Sequence, residues 1–116
     1  MNTIYYKNNI LSVIVLYKTN LNDSVSFKTL SYSLSSLNLT FKPLLLVYDN
    51  SPYEQKQIVE SPIWDIRYIS DITNPGVSKA YNYASKIAIN NNKEYILLLD
   101  QDTYFPYNAY ELYLTY

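Results

Sequence analysis

Four short apolar runs, separated by polar segments long enough to hold helices, most strongly constrain how this chain folds. The runs are rich in branched and aromatic residues and are bounded by Asn, Asp, Pro and Ser, a pattern typical of β-strands. They cover residues 10–17, 43–48, 63–69 and 95–99. The first, second and fourth are apolar at nearly every position, which predicts strands covered on both faces. The third alternates, and we expect it nearer a sheet edge.

Two of the intervening segments have helical periodicity. Apolar residues recur at helical spacing between residues 27 and 37, after an N-cap at Asp23 or Ser24. A second helix is predicted over residues 77–90, after the turn cluster 74–76. Residues 55–60 predict a short helical turn, and the final segment predicts a terminal helix.

The alternation of strands and helices predicts an α/β fold with an open, mostly parallel sheet of about four strands and flanking helices. Connections of more than a dozen residues favour parallel pairing, because a tight hairpin joins only antiparallel strands. The chain has 116 residues, of which 48% are hydrophobic, so a packed core is expected. No repeat, linker or long charge run divides it, and residues 1–116 are expected to form a single region.

Absent residue types exclude several classes of function. The chain has no Cys and no His, which excludes disulfides, thiolate zinc sites, imidazole bases and Ser-His triads. The net charge of −1 lacks the basic stripe that nucleic acids require, so no nucleic-acid partner is expected. No run is long enough to cross a bilayer and no signal-peptide cleavage site is apparent. We therefore expect a cytoplasmic protein, with the inner face of the membrane as an alternative location.

Polar residues follow the apolar runs, at the sheet edge where parallel α/β folds bind ligands. They include Tyr17, Asp49, Asp71, Asp100 and Asp102. On an extended backbone Asp100 and Asp102 would point to the same side, with Cα atoms roughly 6–7 Å apart. Two carboxylates, completed by ligand phosphates and water, commonly hold Mg²⁺ or Mn²⁺. The plain alternative is a pair of solvated acids at a strand end, since this spacing often arises by chance.

The second predicted helix is expected to direct its N-terminus toward the same edge. Its unpaired N–H groups and its dipole favour a phosphate, and Gly76 allows a close approach of the backbone. Ser78 and Lys79 add a hydroxyl and a cation. By itself this is an ordinary turn with a surface lysine, but next to a carboxylate pair it predicts a phosphate-containing ligand.

Two further features have both a structural and a functional interpretation. The triplet Asp49-Asn50-Ser51 is typical of a capped turn, but Asp49 is also suited to accept a hydrogen bond from a nucleobase. Tyr17 either stacks on that base or merely ends a strand.

The ordered set of these motifs resembles glycosyltransferase family 2, in particular its rhamnosyltransferase-like members that modify bacterial surface polysaccharide. The motifs are the strand ending at Tyr17, then LLLVYDNS, NPGVSKAYN and YILLLDQD, and together they span roughly residues 10–106. The resemblance implies a GT-A fold, of which this chain matches the sugar-nucleotide-binding half. We therefore expect residues 1–116 to be incomplete relative to the full catalytic domain.

The resemblance also implies a role for each motif. Tyr17 and Asp49 would flank the nucleobase, with Asp49 accepting from its ring N–H. Asp100 would face the ribose or the metal, and Asp102 would coordinate Mn²⁺ or Mg²⁺. Asn74, Gly76 and Lys79 would line the sugar-diphosphate path, and Asn82 would brace that loop from the helix. The implied reaction transfers a sugar such as rhamnose to a saccharide or lipid-linked acceptor.

Two departures from the family pattern bear on catalysis. Many relatives carry Arg where this chain has Tyr81, which either leaves diphosphate neutralisation to Lys79 or weakens it. The family's catalytic base is expected beyond residue 116, because Glu111, the only carboxylate after Asp102, lies in the predicted terminal helix. The resemblance therefore supports donor binding and leaves turnover by this chain open.

Two alternatives remain. A strand followed by D-x-D also resembles phosphatases of the haloacid dehalogenase superfamily, but here the motif follows the last predicted strand and Thr103 comes one position early. The other alternative is a non-catalytic nucleotide-binding or interaction module. The C-terminal segment then predicts self-association through tyrosines at every third position, unless it is only a frayed tail: Tyr104, Tyr107, Tyr110, Tyr113 and Tyr116.

Overall fold

The computed structural model describes residues 6–56, 60–73 and 76–115. Its centre is a parallel sheet of four strands in the order β3-β2-β1-β4. The strands are β1 (Ile10–Leu16), β2 (Leu44–Asp49), β3 (Asp65–Ser70) and β4 (Tyr95–Leu99). The helices are α1 (Val25–Ser35), α2 (Val77–Asn90) and α3 (Ala109–Leu114), and a 3₁₀ turn lies at Leu21–Asp23. The predicted α/β class is confirmed as a Rossmann-like arrangement.

Both predicted helices form where their sequence signals indicate. The Ser24 hydroxyl accepts a hydrogen bond of 3.2 Å from the Phe27 backbone N–H and so caps α1. The helix α2 covers the predicted range, and Asn92 just beyond it adopts a left-handed φ of 57° that ends the helical path. The predicted helical turn at residues 55–60 lies partly outside the described residues, and residues 55 and 56 are not helical.

Side chains along β1 and β2 point alternately to the two faces of the sheet, and helices cover both faces. One face, which includes Ile14 and Val47, packs against α1 and α3. The opposite face, which includes Val13, packs against Ala84 and Ala88 of α2. Nearly all of β1 and the whole of β2 are buried, so the prediction of strands covered on both faces is confirmed for these two runs.

The sequence correctly predicted the exposure of one edge strand but not of the other. The strand β3 lies at one edge with an alternating pattern of exposure, as expected. The prediction that β4 is covered on both faces is wrong, because β4 is the other edge and Leu98 is 50% exposed. The physical reason is that the alanines of α2 pack over β1 and β2, so the α2-facing side of β4 is left largely uncovered.

The C-terminal tyrosines do not form one helical stripe. The helix α3 begins at Ala109, so Tyr104 and Tyr107 precede it and are exposed, whereas Tyr110 is buried. The Tyr110 ring packs edge-on against Trp64, with 5.5 Å between ring centroids. The segment is therefore docked on the core rather than frayed. Tyr116 lies outside the described residues, and self-association through this segment stays a prediction.

Within the described ranges, every helix is too short or too polar to cross a lipid bilayer.

Candidate functional site

A cavity of about 240 Å³ lies at the carboxyl edge of the sheet, between the ends of β1 and β4 and the first turn of α2. The strand β1 is flanked by β2 on one side and β4 on the other, so the direction of strand addition reverses at this point. Open α/β sheets bind ligands at such switch points. Two predicted site residues, Tyr17 and Asp100, line the cavity together with Asn50, Val77 and Tyr81.

The turn after β1 presents Tyr17 at this edge. Lys18 adopts a left-handed φ of 52°, and its backbone N–H donates a hydrogen bond of 2.8 Å to the Ser51 hydroxyl after β2. The Tyr17 ring is 43% exposed, and the Lys18 Nζ lies 5.2 Å from its centroid. An exposed aromatic face at a ligand-binding edge is suited to stack on a flat ring.

The acidic loop after β4 bends immediately instead of extending the strand. Asp100 Oδ1 accepts hydrogen bonds from the Thr103 hydroxyl at 2.7 Å and from the Asp102 backbone N–H at 3.1 Å. The hydrogen bonds from Thr103 and Asp102 lower the pKa of Asp100, so this carboxyl is ionised at neutral pH. Asp100 and Asp102 therefore lie in a turn that the Asp100 carboxylate stabilises, and the backbone between them is not extended.

The central residue of this loop, Gln101, ties it to the first strand. The Tyr17 backbone N–H donates to Gln101 Oε1 at 2.9 Å, and Gln101 Nε2 donates back to the Tyr17 carbonyl at 3.3 Å. The Ser24 hydroxyl donates to the Gln101 carbonyl at 2.8 Å. This residue thus joins the ends of β1 and β4 to the start of α1. Only the fold reveals this role, because Gln101 is 84 positions from Tyr17.

The loop offers oxygen ligands that suit a hard divalent cation. Asp100 is held ionised, and the Asp102 side chain is exposed. The described part of the chain contains no group of three or more His, Cys, Asp or Glu able to hold a metal ion. Two carboxylates fit Mg²⁺ or Mn²⁺ when phosphate oxygens of a ligand and water complete the coordination, which is the usual arrangement for these ions.

Asp49 is fully buried, on the face of the sheet covered by α1. Its Oδ1 accepts from the Ser51 backbone N–H at 3.0 Å, and its Oδ2 accepts from the Tyr68 hydroxyl at 2.6 Å and from Gln55 Nε2 at 2.9 Å. Burial raises the pKa of this carboxyl, but the hydrogen bonds from Ser51, Tyr68 and Gln55 outweigh burial and hold the pKa below its ordinary value. Asp49 is not among the residues lining the cavity, and its contact with a nucleobase stays a prediction.

Asn50, which the sequence indicates only as part of a turn, lies in the cavity wall. Its backbone N–H donates a hydrogen bond of 2.8 Å to the Leu16 carbonyl, which extends the pairing of β1 and β2. The residue is 3% exposed. Among the described residues, its buried Oδ1 has no hydrogen-bond donor. No pattern in the sequence signals this, because an Asp-Asn-Ser triplet after a strand is ordinary turn composition.

The first turn of α2 borders the cavity through Val77. Gly76 is the N-cap residue and has a φ of 82°. Because glycine has no side chain, the cap residue accepts no side-chain hydrogen bond from the first backbone N–H groups of the helix. A Cβ at this position would meet nothing within 4 Å, so the glycine serves the backbone conformation rather than a close approach. Asn74, predicted for the same path, lies outside the described residues.

Lys79 points to the carboxyl end of β3 rather than into the cavity. Its Nζ lies 3.2 Å from Asp71 Oδ2, and that carboxyl also accepts from the Tyr48 hydroxyl at 2.6 Å. Hydrogen bonds from Thr73 and Tyr48, joined by the Lys79 ammonium, lower the pKa of Asp71 well below its ordinary value. Of the predicted residues on α2, Asn82 is exposed, and neither it nor Lys79 lines the cavity.

Comparison with known proteins identifies the family. The family model described as Glycosyl transferase family 2 matches residues 13–116. No curated protein and no solved structure matches the chain. The family match begins at Val13 within β1 and includes the other three strands, the acidic loop and the whole of α2. Because the match extends over most of its length, the chain belongs to glycosyl transferase family 2.

Proposed function

We propose that this chain binds a nucleoside-diphosphate sugar in the cavity between β1 and β4, with a divalent cation at the acidic loop. Membership of glycosyl transferase family 2 implies a nucleotide-sugar donor and an acceptor. The observation that carries the proposal is the convergence at one switch point of an exposed aromatic ring, an ionised acid and a helix N-terminus. The reaction served would transfer a sugar such as rhamnose to a saccharide or lipid-linked acceptor of a surface polysaccharide.

The cavity wall supports the nucleoside part of this ligand. Tyr17 offers an exposed ring, and Val77 and Tyr81 supply apolar surface at the start of α2. A flat base bound against these groups would lose contact with water on its apolar faces and could stack on the Tyr17 ring. Such stacking adds affinity for any nucleobase, because every base has an aromatic face.

The helix and the acidic loop support the diphosphate part. The N–H groups at the start of α2 are suited to phosphate oxygens. Lys79 would add a cation only after leaving Asp71, from which it is now 3.2 Å away. Asp100 and Asp102 would hold Mg²⁺ or Mn²⁺, and a bound metal would stabilise the negative charge that builds on the leaving nucleoside diphosphate. The family match favours this reaction over the phosphatase alternative.

Isothermal titration calorimetry with UDP-, GDP- and dTDP-sugars, with and without Mn²⁺, tests the proposal. We expect one nucleotide class to bind more tightly with metal, and Asp102→Ala to weaken that binding by about tenfold, the equivalent of about 1.4 kcal/mol. Glu94→Ala is the matched control, since Glu94 is an exposed acid at the opposite end of β4. If no donor binds, or if both variants bind equally well, the assignment fails.

A further inference from the structure

Gln101 lies between the two acids of the loop after β4, and its side-chain amide is bound to the main chain after β1. Its Oε1 accepts from the Tyr17 backbone N–H at 2.9 Å, and its Nε2 donates to the Tyr17 carbonyl at 3.3 Å. The regular pairing of β1 with β4 ends earlier, at Ile14 and Leu99. The amide therefore supplies one further pair of hydrogen bonds between the two strand ends, made by a side chain instead of by the backbone.

The main chain of Gln101 is held as well, by the start of α1. Its carbonyl accepts from the Ser24 hydroxyl at 2.8 Å and from the Ser26 backbone N–H at 3.3 Å. Both serines are buried, and the Ser26 hydroxyl also accepts from the Thr103 backbone N–H at 2.8 Å. The acidic loop is thus fixed to the body of the fold, and the Gln101 side chain ties Tyr17 to that fixed loop.

The chemistry of the side chain at position 101 suits this connection. A primary amide donates and accepts in one plane, whereas a carboxylate only accepts and an ammonium only donates. The Tyr17 backbone requires both, because its N–H needs an acceptor and its carbonyl needs a donor. A glutamate here would direct negative charge at the Tyr17 carbonyl, and an asparagine would be one methylene shorter.

This connection matters for a ligand with two ends. The proposed function assigns the base to the Tyr17 ring and the metal-bound diphosphate to Asp100 and Asp102. The Tyr17 ring is 43% exposed, so its position depends strongly on its backbone. A ligand that bridges two binding parts gains affinity when the protein holds those parts at the matching separation, because its second contact is then intramolecular.

We infer that Gln101 is a positioning residue, which holds the Tyr17 ring and the acidic loop at the separation that a nucleoside diphosphate requires. This inference rests on the proposed function and deepens it. Both polar atoms of the Gln101 amide bond to Tyr17, so the amide acts through Tyr17 and not on the ligand. Its effect is therefore confined to ligands in which the base and the diphosphate belong to one molecule.

The first test needs no ligand and uses hydrogen exchange of the isotope-labelled chain. Gln101→Met keeps the length of the side chain and removes the amide. We expect the Tyr17 backbone amide to exchange about tenfold faster in this variant, and the Val13 amide of buried β1 to keep its wild-type rate. Because the two lost hydrogen bonds are exposed, we expect the Tm to stay within about 5 °C. An unchanged Tyr17 rate would overturn the inference.

The second test compares the whole ligand with its two halves, by NMR titration, which detects weak binding. The probes are UDP, GDP and dTDP with Mg²⁺, then the nucleoside of whichever binds, and then Mg²⁺ pyrophosphate. In Gln101→Met we expect the nucleoside diphosphate to bind about tenfold more weakly, and each half to bind within about twofold of its wild-type affinity. A residue that only stabilises the fold would not weaken the joined ligand alone. Lys86→Met is the matched control, because Lys86 is exposed on α2 outside the cavity wall.

The outcomes separate the two proposals. If the wild type binds no nucleoside diphosphate, the proposed function fails, and the exchange rate of Tyr17 still decides whether Gln101 holds this turn. If the wild type binds one and Gln101→Met binds it equally well, only the inference about Gln101 fails. It also fails if one half alone loses as much affinity as the whole, since Gln101 would then contact that half directly. Gln101→Ala provides the same comparisons should the methionine variant not fold.

Discussion

Replacement of Trp64 by alanine is expected to lower the free energy of unfolding by about 4 kcal/mol, which is a large share of the stability of a small domain. Trp64 is 2% exposed and its ring packs against Tyr110 of α3. Its indole N–H donates a hydrogen bond of 2.8 Å to the Ser31 hydroxyl of α1. The substitution therefore opens a cavity and removes the contact that joins the segment before β3 to both helices on that face.

Urea denaturation followed by far-UV circular dichroism measures this effect. The matched control is Tyr104→Ala, since Tyr104 is an aromatic residue that is 79% exposed, and we expect a change within about 0.5 kcal/mol. Equal stability of the Trp64 and Tyr104 variants would contradict the packing of α3 on the core. Tryptophan fluorescence cannot serve as the probe here, because Trp64 is the only tryptophan.

Substitution of Asp49 by alanine is expected to cost about 3 kcal/mol of unfolding free energy. The change removes the acceptor that Asp49 provides to the Ser51 N–H and to the Tyr68 hydroxyl, and it removes one of the three acceptors of the Gln55 amide; these groups are buried or partly buried. The control is Glu54→Ala in the same segment, because Glu54 is an acid with an exposed side chain. A loss no larger than that of the control would show that Asp49 is not the structural centre of this turn.

The same residue gives stability a defined dependence on pH. The pKa of Asp49 is lower in the folded chain than its ordinary value of 3.8, so the ionised carboxyl stabilises the fold above that value. This contribution is lost as the pH falls through the folded pKa. Asp71 and Asp100 also have lowered pKa values and act in the same direction. In urea titrations between pH 7 and about pH 2.5, we expect the wild type to lose more stability than Asp49→Ala.

The strands and main helices could be predicted from local sequence because their signals are local. The runs at β1 and β2 are apolar on both faces, and the N-cap of α1 lies at Ser24 as its residue type suggests. The exposure of β4 could not be predicted in this way. Its run looks as apolar as that of β1, and only the strand order and the position of α2 over the inner strands leave it uncovered.

The candidate site shows the same division between local and long-range information. The rule that ligands bind beyond the carboxyl ends of parallel strands located Tyr17 and Asp100, which do share a cavity. The pairing of Lys79 with Asp71 depends on how α2 docks beside β3, and the buried acceptor of Asn50 depends on what surrounds it in three dimensions. Neither property is encoded in a spacing along the chain.

Binding of a nucleoside diphosphate at the switch point between β1 and β4 is the centre of the proposed function. It is tested most directly by an NMR titration of the isotope-labelled chain with UDP, GDP and dTDP in the presence of Mg²⁺. We predict that one of them shifts the backbone amide signals of Tyr17, Asn50, Val77 and Gln101 together, because all four residues line the cavity. Shifts centred instead on the groove beside Phe41 and Ile63, or no shift with any of the three, would contradict the claim.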